Sequence, residues 1–158
     1  LLGSRGLGDV YKRQSLTQAE KIEDKIWKNW TQHPKSEYLT SKLENGTYSM
    51  YHQQYQMALK LFTDIIKEDP KWAEGWNKRA TLLFIMGNYE KSLDDIEKVL
   101  DLEPRHFGAL SGRAQIYLSY KQYEKAIDDL RKAKSIYPLI KSGENIRLIE
   151  KIIKEQQI

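Results

Sequence analysis

Three prolines set the frame of this chain. Pro70, Pro104 and Pro138 stand 34 residues apart in a sequence of 158. Between the first two, residues 72–104 read as two helices around a turn at Gly87-Asn88. Trp76, Ala80, Leu83 and Phe84 share one helical face before the turn, and Tyr89, Leu93, Ile96, Val99 and Leu100 share one after it. A single pair of amphipathic helices cannot bury its apolar faces. Repeated at a fixed period, the pairs stack, and the core runs on from one to the next. The period therefore predicts an all-α chain of about eight helices. Three antiparallel pairs fall over about 39–72, 73–106 and 107–140, with a capping helix at each end.

Particular residue types recur at fixed places in the period. Gly46, Ala80 and Ala114 are small, as two helices in close approach require. Tyr55, Tyr89 and Tyr123 follow the turn, and Phe62 and Ile96 lie on the second helix. Gly87 is expected to end its helix in the left-handed conformation. Lys121 stands where Gly87 stood, and a positive φ there costs about 1 kcal/mol. Pro104 is expected to open the following helix, where its missing N–H is harmless. The first pair is degenerate, with Lys42 in place of tryptophan and a weak helix former in Glu44-Asn-Gly-Thr47.

The ends differ from the middle. Thr17-Gln-Ala-Glu20 has the form of a capping box, and Ala19, Ile22, Ile26, Trp27 and Trp30 form a stripe behind it. A cap helix is expected over 17–32, covering the first repeat and ended by His33-Pro34. At the other end, Ser142-Gly-Glu-Asn145 starts a helix over 142–157 with Ile146, Ile149, Ile152 and Ile153 as its stripe. Leu1–Gln14 shares nothing with the repeats, and Ser4–Gln14 resembles a sequencing-library adapter translated in frame. It is read as non-native and disordered or irregular, with the true N-terminus missing. Without its three basic residues (Arg5, Lys12, Arg13) and one acid (Asp9), the net charge falls from +4 to +2.

The repeats resemble the tetratricopeptide repeat (TPR), a helix–turn–helix unit with this period. Glu74-Gly-Trp-Asn-Lys-Arg-Ala80 and Leu102-Glu-Pro-Arg-His-Phe-Gly-Ala-Leu-Ser-Gly112 also resemble small, uncharacterised bacterial members of that family. Many of these carry signal peptides, which favours a periplasmic or envelope location. The resemblance implies a TPR solenoid acting as a binding scaffold, in which the first helix of each repeat lines a concave groove. The groove positions are Thr40, Leu43, Thr47, Met50 and Tyr51 in the first repeat. They are Glu74, Asn77, Thr81, Phe84 and Ile85 in the second, and Gly108, Ser111, Gln115, Leu118 and Ser119 in the third. This wall suits an extended peptide or partner helix, unless the C-terminal helix folds back into it. Family members that grip a carboxylate tail use Lys, Asn and Arg at places held here by Leu43, Thr47, Lys78, Gly108 and Gly112. No such clamp is assembled.

Arg79 and Arg113 recur one period apart, as do Asp95 and Asp129. Because an interior charge needs a partner, they are expected to form structural Arg–Asp pairs between helices. An anion site on the inner wall is the rival reading. Other charges alternate in sign, as on a solvated face.

No motif for catalysis, metal or cofactor is present. The chain has no Cys and three scattered histidines. No apolar run approaches the roughly 18 residues of a membrane helix. A nucleic-acid role has little support at a charge of +2, with no basic stripe. The sequence thus reads as a non-catalytic protein-interaction scaffold whose partner is a protein or peptide. The alternatives are a self-associating module, hence a homo-oligomer, or a fragment of a larger envelope assembly protein.

Overall fold

A computed structural model describes residues 4–138 and 143–156, with side chains over 17–138 and 145–155. Every regular element among them is an α-helix. In order these are α1 (Ser4–Thr31), α2 (Glu37–Tyr51), α3 (Tyr55–Glu68), α4 (Ala73–Ile85), α5 (Tyr89–Leu102), α6 (Phe107–Ser119), α7 (Tyr123–Ile136) and α8 (Gly143–Gln156). The expected limits of the last helix, Ser142 and Gln157, lie outside the described residues, as do residues 139–140 of the third repeat. The chain forms two units, 1–32 and 33–158.

The first unit is α1. It runs unbroken through Thr17, so the capping box there starts no helix. The stretch expected to be irregular, 1–14, is helical from Ser4 onward. No proline stands between Ser4 and Thr31, and extending a helix is far easier than nucleating one. Gly6 and Gly8 weaken it by about 1 kcal/mol each without ending it. Near its end Trp27 Nε1 donates to Glu23 Oε1 (3.3 Å) and the Thr31 hydroxyl to Trp27 O (2.8 Å).

The second unit is a row of hairpins. α2 packs on α3, α4 on α5 and α6 on α7, and each hairpin packs on the next, with α8 against α7. Each hairpin turn is built alike. Gly87 N–H donates to Phe84 O and Asn88 N–H to Leu83 O. Lys121 and Gln122 repeat this onto Leu118 and Tyr117, and Gln53 and Gln54 onto Met50 and Ser49. This pairing closes a helix only when one residue is left-handed. The φ values are 75° at Gly87, 58° at Lys121 and 60° at Gln53. Two turns therefore carry strain that glycine would relieve. Lys121→Gly and Gln53→Gly are each expected to stabilise the fold by about 1 kcal/mol, read as a raised urea midpoint.

The connectors between hairpins are also alike. Trp72 N–H donates to Asp69 O (3.3 Å) and His106 N–H to Glu103 O (3.0 Å). Pro70 and Pro104 are each the second residue of a four-residue turn, where a fixed φ near −65° fits. Pro104 thus precedes α6 by three residues and does not open it. Next comes the residue that begins the following helix. Ser36 accepts Leu39 N–H for α2, and His106 accepts Ala109 N–H for α6.

The core follows the small positions. Ala80 and Ala114 are buried where paired helices touch. At Gly46 a Cβ would stand 2.5 Å from the ring of Phe62, which is fully buried. Phe62, Leu39, Leu43, Met50, Ile65 and Trp72 make one cluster. Ala80, Ile96, Val99, Ala109 and Ile116 make a second, and Ala114, Ala126, Leu130, Ile146 and Ile149 a third.

The first connectors are fastened by His33. Its Nδ1 accepts Lys35 N–H (3.1 Å), so Nε2 donates to Asp69 Oδ2 (2.8 Å). The His33 bond holds the Asp69 carboxyl below its ordinary range, against a smaller opposing effect of burial, with help from Lys71 N–H. A carboxyl whose folded pKa is depressed adds stability above its unfolded pKa, near 3.9. That contribution disappears as pH falls through the lower folded value. The parent is therefore expected to exceed Asp69→Asn in urea midpoint at pH 7. The gap should close as pH drops below about 4, in matched unfolding curves across that range.

Candidate functional site

α2, α4 and α6 are the first helices of successive hairpins, and they carry the residues expected to face a ligand. The structure gathers one part of that set. Asn77, Thr81 and Phe84 of α4 meet Gly108, Ser111 and Gln115 of α6 around a cavity of about 210 Å³. Ala80, Ile96 and Ala109 also line it, as do Gly112 and Ser92. Among the described residues no charged side chain lines it.

Other expected groove residues are placed differently. Leu43 and Met50 belong to the buried cluster of the first hairpin and offer no ligand surface. Glu74, only 1% exposed, is also withdrawn. It lies in a buried polar network that residue spacing alone does not reveal. His106 Nδ1 accepts Ala109 N–H (3.0 Å), leaving Nε2 to donate to Glu74 Oε2 (3.2 Å). Asn77 Nδ2 donates to Glu74 Oε1 (3.1 Å), and Lys78 Nζ stands 3.7 Å away. The available signal was that Glu74 and His106 are almost one period apart, so that the start of one repeat meets the cap of the next.

The remaining wall is short of free donors. Thr47, Thr81 and Ser119 each give their hydroxyl proton to the carbonyl four residues back. Thr40 gives its proton to Ser36 O and accepts His33 N–H. Each hydroxyl thus presents itself outward chiefly as an acceptor. Tyr51 and Ile85 are exposed, whereas Phe84 is half-buried against Tyr89. Leu118 packs on the cluster beneath α8. Ser111 is half-buried, yet its Oγ is enclosed and meets no hydrogen-bonding group of the protein among the described residues.

The arginines are engaged within their hairpins. Arg79 Nε and Nη2 donate to the two Asp95 oxygens (2.7 and 2.8 Å), and its guanidinium lies over Trp76. Arg113 grips Asp129 by the same two bonds at the same distances, over Tyr117. The Asp129 hydrogen bond raises the Arg113 guanidinium above its ordinary range. Two-pronged geometry makes these pairs firm. With its Nε and Nη2 spent on a carboxylate, neither guanidinium is presented to an anion.

Models of the tetratricopeptide repeat match residues 73–106 and residues 108–138, the second and third hairpins. The second and third hairpins are tetratricopeptide repeats. A TPR repeat-containing protein of Rhizobium etli is 60% identical over 53 residues, which are 34% of this chain and 26% of that protein. Hsp70-Hsp90 organizing protein 1 of Glycine max is 30% identical over 96 residues, 58% of this chain and 16% of that protein. The matches thus span about a quarter and about a sixth of these relatives. Among solved structures, the first TPR of Spaghetti (RPAP3), bound to an HSP90 peptide, superposes with a TM-score of 0.70 at 19% identity. The match covers 77% of this chain and 98% of that one. At that identity the likeness is one of fold, an all-α TPR solenoid.

Proposed function

We propose that this TPR chain is a non-catalytic scaffold that holds a peptide or partner helix against α4 and α6. The observation that carries this reading is the uncharged cavity between those helices. Its rim offers amide and hydroxyl groups to a backbone, and its floor offers apolar surface. The solved relative above holds an HSP90 peptide, so the fold is suited to the task. The chemistry here differs from that of a carboxylate clamp. Leu43 is buried, Thr47 spends its proton on Leu43 O, Lys78 leans toward Glu74, and glycines stand at 108 and 112. A partner ending in acidic residues would find no matching cations on this wall.

The test is a crosslinking pull-down with the parent and a Thr47→Arg, Thr81→Arg, Gln115→Arg variant of equal helicity and melting temperature. A partner held by the parent and lost by the variant supports the groove. A partner held equally by both overturns it. Self-association is the second reading. It is favoured by exposed Tyr51, Ile85, Met86 and Tyr120 at the hairpin turns. A dimer mass in solution that reverts to monomer in Met86→Glu, Tyr120→Glu would establish it, and a monomeric parent would remove it.

A further inference from the structure

We propose that α8 docks on α2 of a second copy of this chain, so that the row of hairpins continues from one molecule into the next. Within residues 33–158 these are the last and the first helix, and each leaves one charged face uncovered.

The α2 face is acidic and aromatic. Glu37, Ser41, Glu44 and Tyr48 recur at helical spacing and are all exposed, with Tyr38 on their flank. The α8 face is basic. Arg147, Lys151 and Lys154 recur at the same spacing and are exposed, with Leu148 on their flank. Tyr38, Tyr48 and Leu148 each leave more than half of their surface to water, an apolar exposure that a contact would remove.

Charges that would spoil the match are engaged elsewhere. Lys42 of α2 is held by Glu68 and lies over the Tyr38 ring. Glu150 of α8 is held by Arg131 (2.8 Å), and Glu155 stands 3.8 Å from Lys151. Lys154 shares a cleft with Glu124 and Asp128 yet pairs with neither. Among the described residues Glu37, Glu44 and Arg147 have no ion pair of their own.

Spacing gives the register. Glu37 and Glu44 are seven residues apart, as are Arg147 and Lys154, which is about 10 Å along either helix. Laid antiparallel, Glu44 meets Arg147 and Glu37 meets Lys154. Tyr38 follows Glu37 as Leu148 follows Arg147, so both apolar flanks lie on the same side of their stripes. The antiparallel arrangement sets these sides against each other and brings Tyr38 alongside half-buried Ile152. Unlike faces meet, so copies add in sequence to a ring or an open row. This contact involves neither the α4–α6 cavity nor Ile85, Met86 and Tyr120, and goes beyond both readings above.

The test is the light-scattering mass of the full chain against concentration, at low and at high salt. At low salt the mass is expected to rise with concentration, and salt that screens exposed charges is expected to lower it. Glu37→Lys, Glu44→Lys and, separately, Arg147→Glu, Lys154→Glu should each weaken association about tenfold, because two exposed ion pairs become repulsions. A chain carrying all four substitutions regains it. The four sites are exposed, so the variants fold, and equal helicity and melting verify this. A parent that is monomeric at every concentration overturns the inference. So does a mass indifferent to either reversal, or a fourfold variant that stays apart. Association lost in Met86→Glu, Tyr120→Glu and kept in both reversals assigns the contact to the hairpin turns and overturns it. A pull-down partner lost from the Arg147→Glu, Lys154→Glu chain, beside a monomeric parent, gives the α8 face to another protein and overturns it too.

Discussion

His106→Ala is expected to lower the unfolding free energy by about 3–5 kcal/mol, the cost of breaking a buried polar pair from one side. The reason lies in what is left behind. Glu74 is 1% exposed and His106 fully buried, so water cannot replace the imidazole without opening the helix contact. Two losses combine. The α6 cap disappears with Nδ1, worth about 1 kcal/mol, and the Glu74 carboxylate keeps only Asn77 and a distant Lys78. The two can be separated. His106→Asn can restore the cap bond to Ala109 N–H but is too short to reach Glu74, so it should recover about the cap's share. Glu74→Leu in the His106→Ala background removes the stranded charge and should recover part of the rest. Urea unfolding followed by helical ellipticity reads all of these. A loss below about 1 kcal/mol in His106→Ala would mean that the imidazole does not hold the carboxylate.

The second large effect is at Phe62. Phe62→Ala is expected to cost about 3–5 kcal/mol, because a fully enclosed ring leaves a cavity that the first hairpin cannot collapse around. Its neighbour gives a sharper test. Gly46→Ala would gain about 1 kcal/mol of helix propensity on an open surface. Here the added methyl would sit 2.5 Å from the Phe62 ring, so a net loss of about 1–3 kcal/mol is expected. In the Phe62→Ala background the clash is gone, and Gly46→Ala should become stabilising. Four urea curves complete the cycle. If Gly46→Ala costs the same with and without the ring, the helices are not held apart by this contact.

Much of the architecture was legible because the period imposes the same steric demand at each turn and crossing. Ala80 and Ala114 are small for the reason that Gly46 is. Gly87 announced a left-handed residue, and alignment extended that to Lys121. Gln53 stands one period before Gly87 and is reached by the same alignment, though glutamine itself, like lysine, gives no sign of positive φ. Pro104 was misplaced by three residues because a proline serves equally well in a turn or at a helix start. Thr17 had the right residues for a cap, but a cap sequence ends a helix only where something upstream stops it. The groove was less legible than the fold. Position in the repeat tells which way a side chain points, not what arrives to cover it. Glu74 stands at an expected groove position in the repeat, yet it is buried and bonded to His106 from the next repeat. Ser111 was one of fifteen candidates, and its hydroxyl is enclosed with no protein partner among the described residues.

Within residues 33–158 the main helix contacts join consecutive helices, or helices two apart. Among the described residues there is no closing strand and no central layer on which every other element depends. A change in one hairpin is felt by that hairpin and the two beside it, and then fades. Length is therefore open to revision in whole steps. One hairpin can be duplicated or deleted by joining its neighbours at the same proline turn, with the flanking surfaces already made to fit. The length of the row can then be adjusted one repeat at a time, while each hairpin keeps its own packing.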